Sequence, residues 1–491
     1  MKRALSFYCL PLIGLSISAP LAQAAKGKNV KKQKPNILIL ATDDQSYHTL
    51  RSWGNTTTVT PNMDDLVKNG TSFTETHVMG ALGGAVSMPS RAMLMTGKYL
   101  YNLHQDGAVI PTEDKTIPEV FKENGYTTFA TGKWHSDKAS FNRSFTTGAN
   151  IFFGGMHPYD KDGHFKPFLH AYDPSGKYQE GAYKDEFSSV CYANAAVDFL
   201  NASKKEKKPF FMYVAFTSPH DPRTPPPAYG HKYTEKDITL PLNFMMQHPF
   251  DNGDLDVRDE VYLPVPRDPD AVKKEIAAYY GMVSEVDTQI GRIIKVLEES
   301  GKLDNTIIVF TSDNGLAVGQ HGLLGKQNLY EHSVRVPLVL CGPNIPTDTR
   351  VQAYCYLLDI FPTLTELAGI ETPQSVDGKS FKKSITDNDF SKREHIYLSY
   401  INIQRAIKKD NYKLILYNVN GERRIQLFNL EKDPWERDNL VDDPSYKGKI
   451  DELTSLLYKE MTNLGDFCDP KKADWGYPKK LTWNEALQIN P

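Results

Sequence analysis

The sequence predicts an α/β fold in which a large, mixed, mostly parallel sheet carries helices on both faces, with a smaller C-terminal antiparallel sheet packed against a helix. Three observations lead there. Short runs of β-branched and aromatic residues alternate with helical patterns through most of the chain, the signature of a sheet covered on both sides. Four of these runs end abruptly in charged or metal-binding residues. After Asp377-Gly378 the spacing changes to short strands joined by tight links.

Length and composition bound the problem. A chain of 491 residues has room for a large core and more than one domain. With 40% hydrophobic and 24% charged residues and a net charge of −3, it carries no basic footprint for nucleic acid. Lys2 and Arg3 precede an apolar run from Ala4 to Leu21, broken by Pro11 and Pro20, and Ala22-Gln23-Ala24 offers a small-residue cleavage site. Residues 1–24 therefore read as a cleaved signal peptide with Cys9 inside it, so a periplasmic or secreted bacterial protein is expected. No later stretch approaches the ~20 apolar residues of a membrane span. Cys191, Cys341, Cys355 and Cys468 remain. Export permits a disulfide, with Cys341 and Cys355 nearest in sequence, while cysteines this scattered also suit buried thiols.

In chain order, Lys26 to Lys34 is a basic tether, and Asn36 to Ala41 reads as a strand buried on both faces that stops at Thr42-Asp43-Asp44. Thr116 is placed to cap a helix through Val120 and Phe121 that closes at Gly125. Tyr126 to Ala130 is the second such strand, leading to Gly132-Lys133-Trp134-His135. Phe210 to Phe216 leads to Ser218-Pro219-His220-Asp221, and Thr306 to Phe310 leads to Ser312-Asp313-Asn314-Gly315. Between the last two, Ile276, Tyr280, Val283, Val286, Ile290, Ile293, Ile294 and Leu297 trace the apolar stripe of a long helix from about Asp270 to Ser300. Ligands of open α/β sheets bind beyond the C-terminal strand ends, where all four polar clusters fall. The irregular stretches 136–184 and 222–269 follow two of these clusters directly and are expected to wall the pocket. Beyond residue 377, strands are expected near His395–Leu398, Arg405–Ile407, Tyr412–Leu416 and Gln426–Leu430, then a helix near Lys449–Leu464.

The chemistry centres on Ser87-Met88-Pro89-Ser90-Arg91, which follows the glycine-rich run Gly80–Ala85. Proline suits the first turn of a helix, so Ser87 falls at or just before a helix N-terminus, where free N–H groups and the dipole favour negative charge. Arg91 adds a permanent positive charge one turn on. Asp43, Asp44, Asp313 and Asn314 form an oxygen-only ligand set that suits Ca²⁺ or Mg²⁺ better than zinc. Lys133, His135, His220 and Lys326 supply cations and proton carriers. A hard cation and several positive side chains around one small residue describe a site for a tetrahedral oxyanion ester, either phosphate or sulfate.

The chain resembles the type I sulfatase family of the alkaline-phosphatase-like superfamily. Ser87, Pro89, Ser90, Arg91, Thr96 and Gly97 meet that family's signature in register, and Gly132-Lys133-Trp134-His135, Pro219-His220, Asp313-Asn314-Gly315 and Gly325-Lys326 followed by Tyr330-Glu331-His332 match supporting motifs. The resemblance spans roughly residues 35 to 440. It implies that Ser87, of the serine type found in bacteria, is oxidised by a dedicated maturase to formylglycine, whose hydrate attacks sulfur beside Ca²⁺ (Mg²⁺ being the lesser fit). It further implies a metal site of Asp43, Asp44, Asp313, Asn314 and the converted Ser87. Arg91 and Lys133 would hold the hydrate, His220 and Lys326 would contact the sulfate, and His220 would protonate the leaving alcohol while His135 assists the later steps.

The sequence thus predicts a signal peptide over 1–24, a catalytic domain over 35–376 and a C-terminal α+β subdomain over 377–491. The expected reaction is release of sulfate from a sulfated carbohydrate, first of all a galactose or hexosamine sulfate of mucin or glycosaminoglycan. Glu331, His332 and Arg350 are candidate sugar contacts, with a purely structural role behind the site the equal alternative for Glu331 and His332. Three other readings stand beside this one: a uronate 2-O-sulfatase, a phosphomonoesterase or phosphodiesterase using unmodified Ser87, and a sulfated-glycan binding protein whose serine is never converted.

Overall fold

The computed structural model describes residues 33–387, 390 and 392–489. The expected signal peptide, and nearly all of the basic tether, lie outside the described residues.

The large sheet is built from β1 (Asn36–Thr42), β2 (Gly70–Phe73), β4 (Thr127–Lys133), β5 (Thr147–Phe152), β6 (Phe210–Ala215), β7 (Thr306–Ser312), β8 (Leu338–Cys341) and β9 (Thr349–Val351). The short β3 (Gly80–Ala81) belongs to the second sheet, with β10 (Ile396–Tyr400), β11 (Gln404–Lys409), β12 (Tyr412–Val419) and β13 (Glu422–Asn429). Across the large sheet the order is β9-β2-β8-β7-β1-β6-β4-β5. Only β8 runs antiparallel to its neighbours, so the sheet is mixed and mostly parallel, as predicted.

The four strands marked in the sequence by polar C-terminal ends are adjacent and parallel at the sheet centre, in the order β7-β1-β6-β4. Burial on both faces explains the apolar runs of β1, β6 and β7. In β1, Ile37, Ile39 and Ala41 point into one core, Leu38 and Leu40 into the other. The second core is closed by α1 (Pro61–Lys68), α4 (Ser188–Ala202) and α5 (Pro269–Glu299). The first is closed by α2 (Ser87–Thr96), α3 (Ile117–Glu123) and α6 (Ile360–Ala368), and it continues into Leu398, Ile407 and Leu414 of the small sheet. Thr116 caps α3 with a full capping box to Glu119.

The small sheet is an antiparallel run, β10 to β13, to which β3 adds as a parallel edge beside β10. The helix α7 (Lys447–Asn463) packs on it through buried Leu453, Leu457 and Met461. A last helix, α8 (Trp483–Ile489), follows. The four cysteines are buried free thiols, so the Cys341–Cys355 bridge left open by the sequence is not formed. Among the described residues no helix is long and apolar enough to cross a membrane.

Candidate active site

Parallel strands ending side by side set their next residues next to one another, and the backbone ties them: Asp43 N–H donates to Ser218 O and Asp313 N–H to Thr42 O, both at 3.2 Å. Asp44 turns out of β1 with φ of 65°, its carbonyl held by Tyr279 Oη at 2.7 Å. At the end of β4, Gly132 has φ of 92°, and a Cβ there would meet Ala215 O at 1.8 Å. Glycine allows the irregularity that delivers Lys133 and His135 to the site.

Ser87 is the first residue of α2 and is buried. Its hydroxyl receives Lys326 Nζ at 3.0 Å and Asn314 Nδ2 at 3.3 Å and donates to Asp43 Oδ1 at 3.3 Å. One turn further, Arg91 Nε donates to Asp313 Oδ2 at 2.7 Å, and its Nη1 to Tyr213 Oη at 3.1 Å and Lys133 O at 3.2 Å. Lys133 Nζ donates to Asp43 Oδ2 at 2.7 Å. His220 sets Nε2 3.5 Å from Asp44 Oδ2 and Nδ1 2.9 Å from Asp221 Oδ1.

Removing such charges from water is costly unless they compensate one another. Here the carboxylates of Asp43, Asp44 and Asp313 face the basic side chains of Arg91, Lys133 and Lys326. Burial alone would raise the Asp43 carboxyl, but Lys133, His220, Arg91 and Lys326 outweigh it and hold it well below the usual range. Burial dominates at Asp313, which is pushed up to about 6 despite Arg91. Burial and the flanking cations Lys133 and Arg91 keep His135 neutral, with its pKa well below the usual range. Burial and Lys326 also press His220 down, yet Asp221, Asp44 and Asp43 raise it overall.

The donor set fits a hard divalent cation. Ligand atoms of Asp43, Asp44 and His220 lie within 4.8 Å of one another, and Asp313 Oδ1 is anchored beside them by Asp44 N–H at 3.1 Å. Asn314 Oδ1 is buried there with no hydrogen-bond partner among the described residues, an acceptor that a cation would satisfy. Because the three carboxylates are already paired with Arg91, Lys133 and Lys326, a bound divalent ion would leave the site net positive, which suits an anionic ester.

Ser87, Lys133, His135, His220 and Lys326 line a cavity of about 350 Å³. Both irregular stretches contribute to its wall, through Gly155 and Met156 and through Val257, Arg258 and Asp259. The structure adds functional candidates that no sequence motif marks. Asp221 grips His220 and is itself held by Tyr159 Oη and Arg258 Nη2. Gln327 Nε2 donates to Asp259 Oδ2 at 2.8 Å, forming a polar rim. Asp221 could have been found from its place beside His220; Arg258 and Asp259 sit in a loop whose path no local pattern specifies.

Three candidate sugar contacts lie elsewhere. Arg350 is exposed on β9 and donates to Ser52 O at 2.7 Å. Glu331 is buried between Lys408 Nζ at 2.7 Å and Lys413 Nζ at 3.0 Å, and these cations outweigh its burial and hold its carboxyl well below the usual range. His332 is buried against Tyr330 and His321, with neither ring nitrogen hydrogen-bonded among the described residues. None of the three lines the cavity around Ser87. Glu331 groups with His77 and Glu75 in a metal-like triad, but Lys408 already bonds all three, so the cluster is a closed ion-pair network.

A model of the family described as "Sulfatase" matches residues 35–370. The chain belongs to the sulfatase family. A second model, "N-sulphoglucosamine sulphohydrolase, C-terminal", matches residues 319–463 of this sulfatase. An arylsulfatase of Clostridium perfringens is 30% identical, over 91% of this chain and 98% of its own. An N-acetylglucosamine-6-O-sulfatase of Bacteroides thetaiotaomicron is 26% identical, over 95% and 92%. A solved structure in complex with its substrate D-glucosamine-2-N,6-O-disulfate superposes with a TM-score of 0.72 at 23% identity, covering 90% of this chain and all of that one, and so shares the fold. This sulfatase is a sulfuric ester hydrolase.

Proposed function

We propose that this sulfatase is an exported enzyme that releases inorganic sulfate from sulfated carbohydrate, with galactose or hexosamine sulfates of mucin or glycosaminoglycan as its substrates. The observation that carries the reading is the surroundings of Ser87: a buried hydroxyl at a helix N-terminus, touched by Lys326, Asp43 and Asn314 and backed by Arg91 and Lys133. Similarity over nearly the whole chain to an N-acetylglucosamine-6-O-sulfatase supports the sugar.

Asp43, Asp44, Asp313 and Asn314, joined by an oxygen on residue 87, would hold Ca²⁺, which when bound supplies Lewis-acid polarisation of that oxygen and of the ester. Formylglycine, made from Ser87 by a maturase, would supply a geminal diol as nucleophile. Arg91 fixes the Asp313 side of the site and shares Tyr213 and the Lys133 carbonyl, so the two cations are held in one frame. Lys133 and Lys326 stabilise the negative charge that develops on residue 87 and on the sulfate oxygens. His220, oriented by Asp221 and shifted toward its protonated form by its carboxylate neighbours, delivers a proton to the leaving alcohol. His135, neutral in its buried setting, is suited to accept a proton in the step that frees sulfate.

Peptide mass spectrometry of protein from the native host should find the Ser87 peptide lighter by two hydrogens, the change from hydroxymethyl to aldehyde. An unmodified Ser87 together with full phosphatase activity would overturn the mechanism. A panel of sulfated monosaccharides and disaccharides decides the sugar.

A further inference from the structure

We infer that Trp483, on the C-terminal helix α8, is a stacking platform for the sugar unit that neighbours the sulfated residue in a longer glycan. The inference rests on the carbohydrate reading above and adds a binding element from a segment that neither family model covers.

The placement is unusual for a C-terminal tail. A Cβ on Gly83 would stand 2.2 Å from Trp483 Cδ1 and 2.8 Å from its Nε1, so the pyrrole edge of the indole rests on the Gly83 backbone. Gly83 is buried there, whereas the next residue, Gly84, is exposed and lines the cavity around Ser87 together with Ala85. Despite that seat, Trp483 keeps 47% of its surface exposed. A tryptophan recruited only to close the tail onto the fold would be expected to bury its ring, as Trp475 does completely a few residues earlier.

The tail is also fixed in place. Asn402 holds it from both sides, donating to Lys479 O and accepting Leu481 N–H, both at 2.9 Å. Lys480 pairs with Asp254 and donates to Gly253 O. Thr482 and Glu485 bond reciprocally across the start of α8. An anchored, half-exposed indole seated on the residue before the cavity-lining Gly84 loses little freedom on binding and offers apolar ring surface, which matches the C–H face of a pyranose. The cavity wall also carries Arg258 and Asp259, polar groups that suit sugar hydroxyls or charges. A glycan extending from the sulfated residue over Gly84 would meet the indole.

The test compares kcat/KM of the matured enzyme and its Trp483→Ala and Trp483→Phe variants on 4-methylumbelliferyl sulfate, N-acetylglucosamine 6-sulfate and a keratan sulfate tetrasaccharide carrying the same ester. The expected result is a fall of about three- to tenfold in the ratio of tetrasaccharide to aryl sulfate kcat/KM for Trp483→Ala, carried by KM, with partial retention in Trp483→Phe. A Gly83→Ala variant, whose methyl displaces the ring, should lower the same ratio. If all three substrates lose equally, Trp483 is structural and the inference is wrong. An unchanged ratio with normal tetrasaccharide turnover also overturns it and leaves the carbohydrate reading standing. Wild-type enzyme that cleaves the aryl sulfate but neither these sugars nor any other galactose or hexosamine sulfate of a panel overturns the carbohydrate reading and the platform together.

Discussion

Lys326 sets its ammonium 2.6 and 2.7 Å from the two carboxylate oxygens of Asp44, a residue 282 positions earlier in the chain. Both side chains are buried, so each is the other's compensation, and the cations around the site push the Asp43 carboxyl down while Asp44, Asp43, Asp313 and Asp259 outweigh burial to raise the Lys326 amine. Breaking a buried pair by removing one partner costs roughly 3–5 kcal/mol. Lys326→Ala should lower the thermal midpoint and reduce kcat/KM on an aryl sulfate by about 100-fold or more, the scale seen for lost transition-state donors. A variant with wild-type midpoint and turnover would contradict the pairing.

Arg91→Lys tests geometry at constant charge. The guanidinium serves Asp313 through Nε and both Tyr213 and the Lys133 carbonyl through Nη1, a fork that an ammonium cannot reproduce. The expected outcome is a kcat reduced by at least about tenfold, with KM less affected, because the frame holding Lys133 loosens. Steady-state kinetics read this directly.

Calcium is expected to stabilise the folded protein. Enzyme stripped with a chelator should gain thermal stability on Ca²⁺ titration, by up to about 3–4 kcal/mol at 100 to 1,000 times the dissociation constant. Asn314→Ala, which removes the unpartnered buried Oδ1, should shrink that gain. A wild-type protein whose midpoint ignores Ca²⁺ would rule out the proposed ligand set.

A pH effect is expected away from the metal ligands, at Asp106. Its carboxylate accepts the N–H groups of Leu82 and Gly83 at 3.2 and 3.0 Å and so braces the loop leading into α2. Burial outweighs these bonds and raises its pKa to about 7, against about 4 in the unfolded chain. The folded state therefore holds this proton more tightly, so the group's contribution to stability is complete below pH ~4 and is lost as pH rises through ~7. Relative to Asp106→Asn, the wild-type midpoint should fall across that window. Parallel curves would show that Asp106 does not titrate there.

Glu331→Gln should act on stability and spare substrate binding. The change leaves Lys408 and Lys413 without much of their compensation, at a cost on the order of 3 kcal/mol. KM for a sulfated monosaccharide should stay within about twofold, since kinetic effects of this kind require contact with substrate or its positioning groups. A raised KM with an unchanged midpoint would return Glu331 to the substrate.

How much was legible differs from element to element. The runs Asn36–Ala41, Phe210–Phe216 and Thr306–Phe310 betrayed central strands because a strand covered on both faces must be apolar throughout. The charged residues that follow them could be grouped for the same reason: parallel strands place their C-terminal ends together whatever the loops between them do. Strands β2, β8 and β9 carry no distinctive periodicity in their three or four residues. Strand β5, whose Thr147-Gly148-Ala149-Asn150 is small and polar, lies within the stretch 136–184 expected to be irregular, yet pairs with β4 at the sheet edge. The motif Tyr330-Glu331-His332 misled in the other direction. Its residues sit close behind Lys326 in sequence, but the helical turn Glu331–Val334 carries them away from the cavity and toward the lysines of β11 and β12.

By itself the sequence determined the α/β class, the sulfatase signature, the helix start at Ser87 and the strand ends that surround it, because each is written in a few consecutive residues through burial period, capping and side-chain chemistry. Only the tertiary structure decided which charges meet: Lys326 with Asp44, Lys133 with Asp43, Arg91 with Asp313, Glu331 with Lys408 and Lys413. It also decided that Asp221 orients His220 and that Trp483 returns from the end of the chain to rest on Gly83. These pairings join residues from separate elements, and their energy depends on distance and burial, which no local pattern specifies.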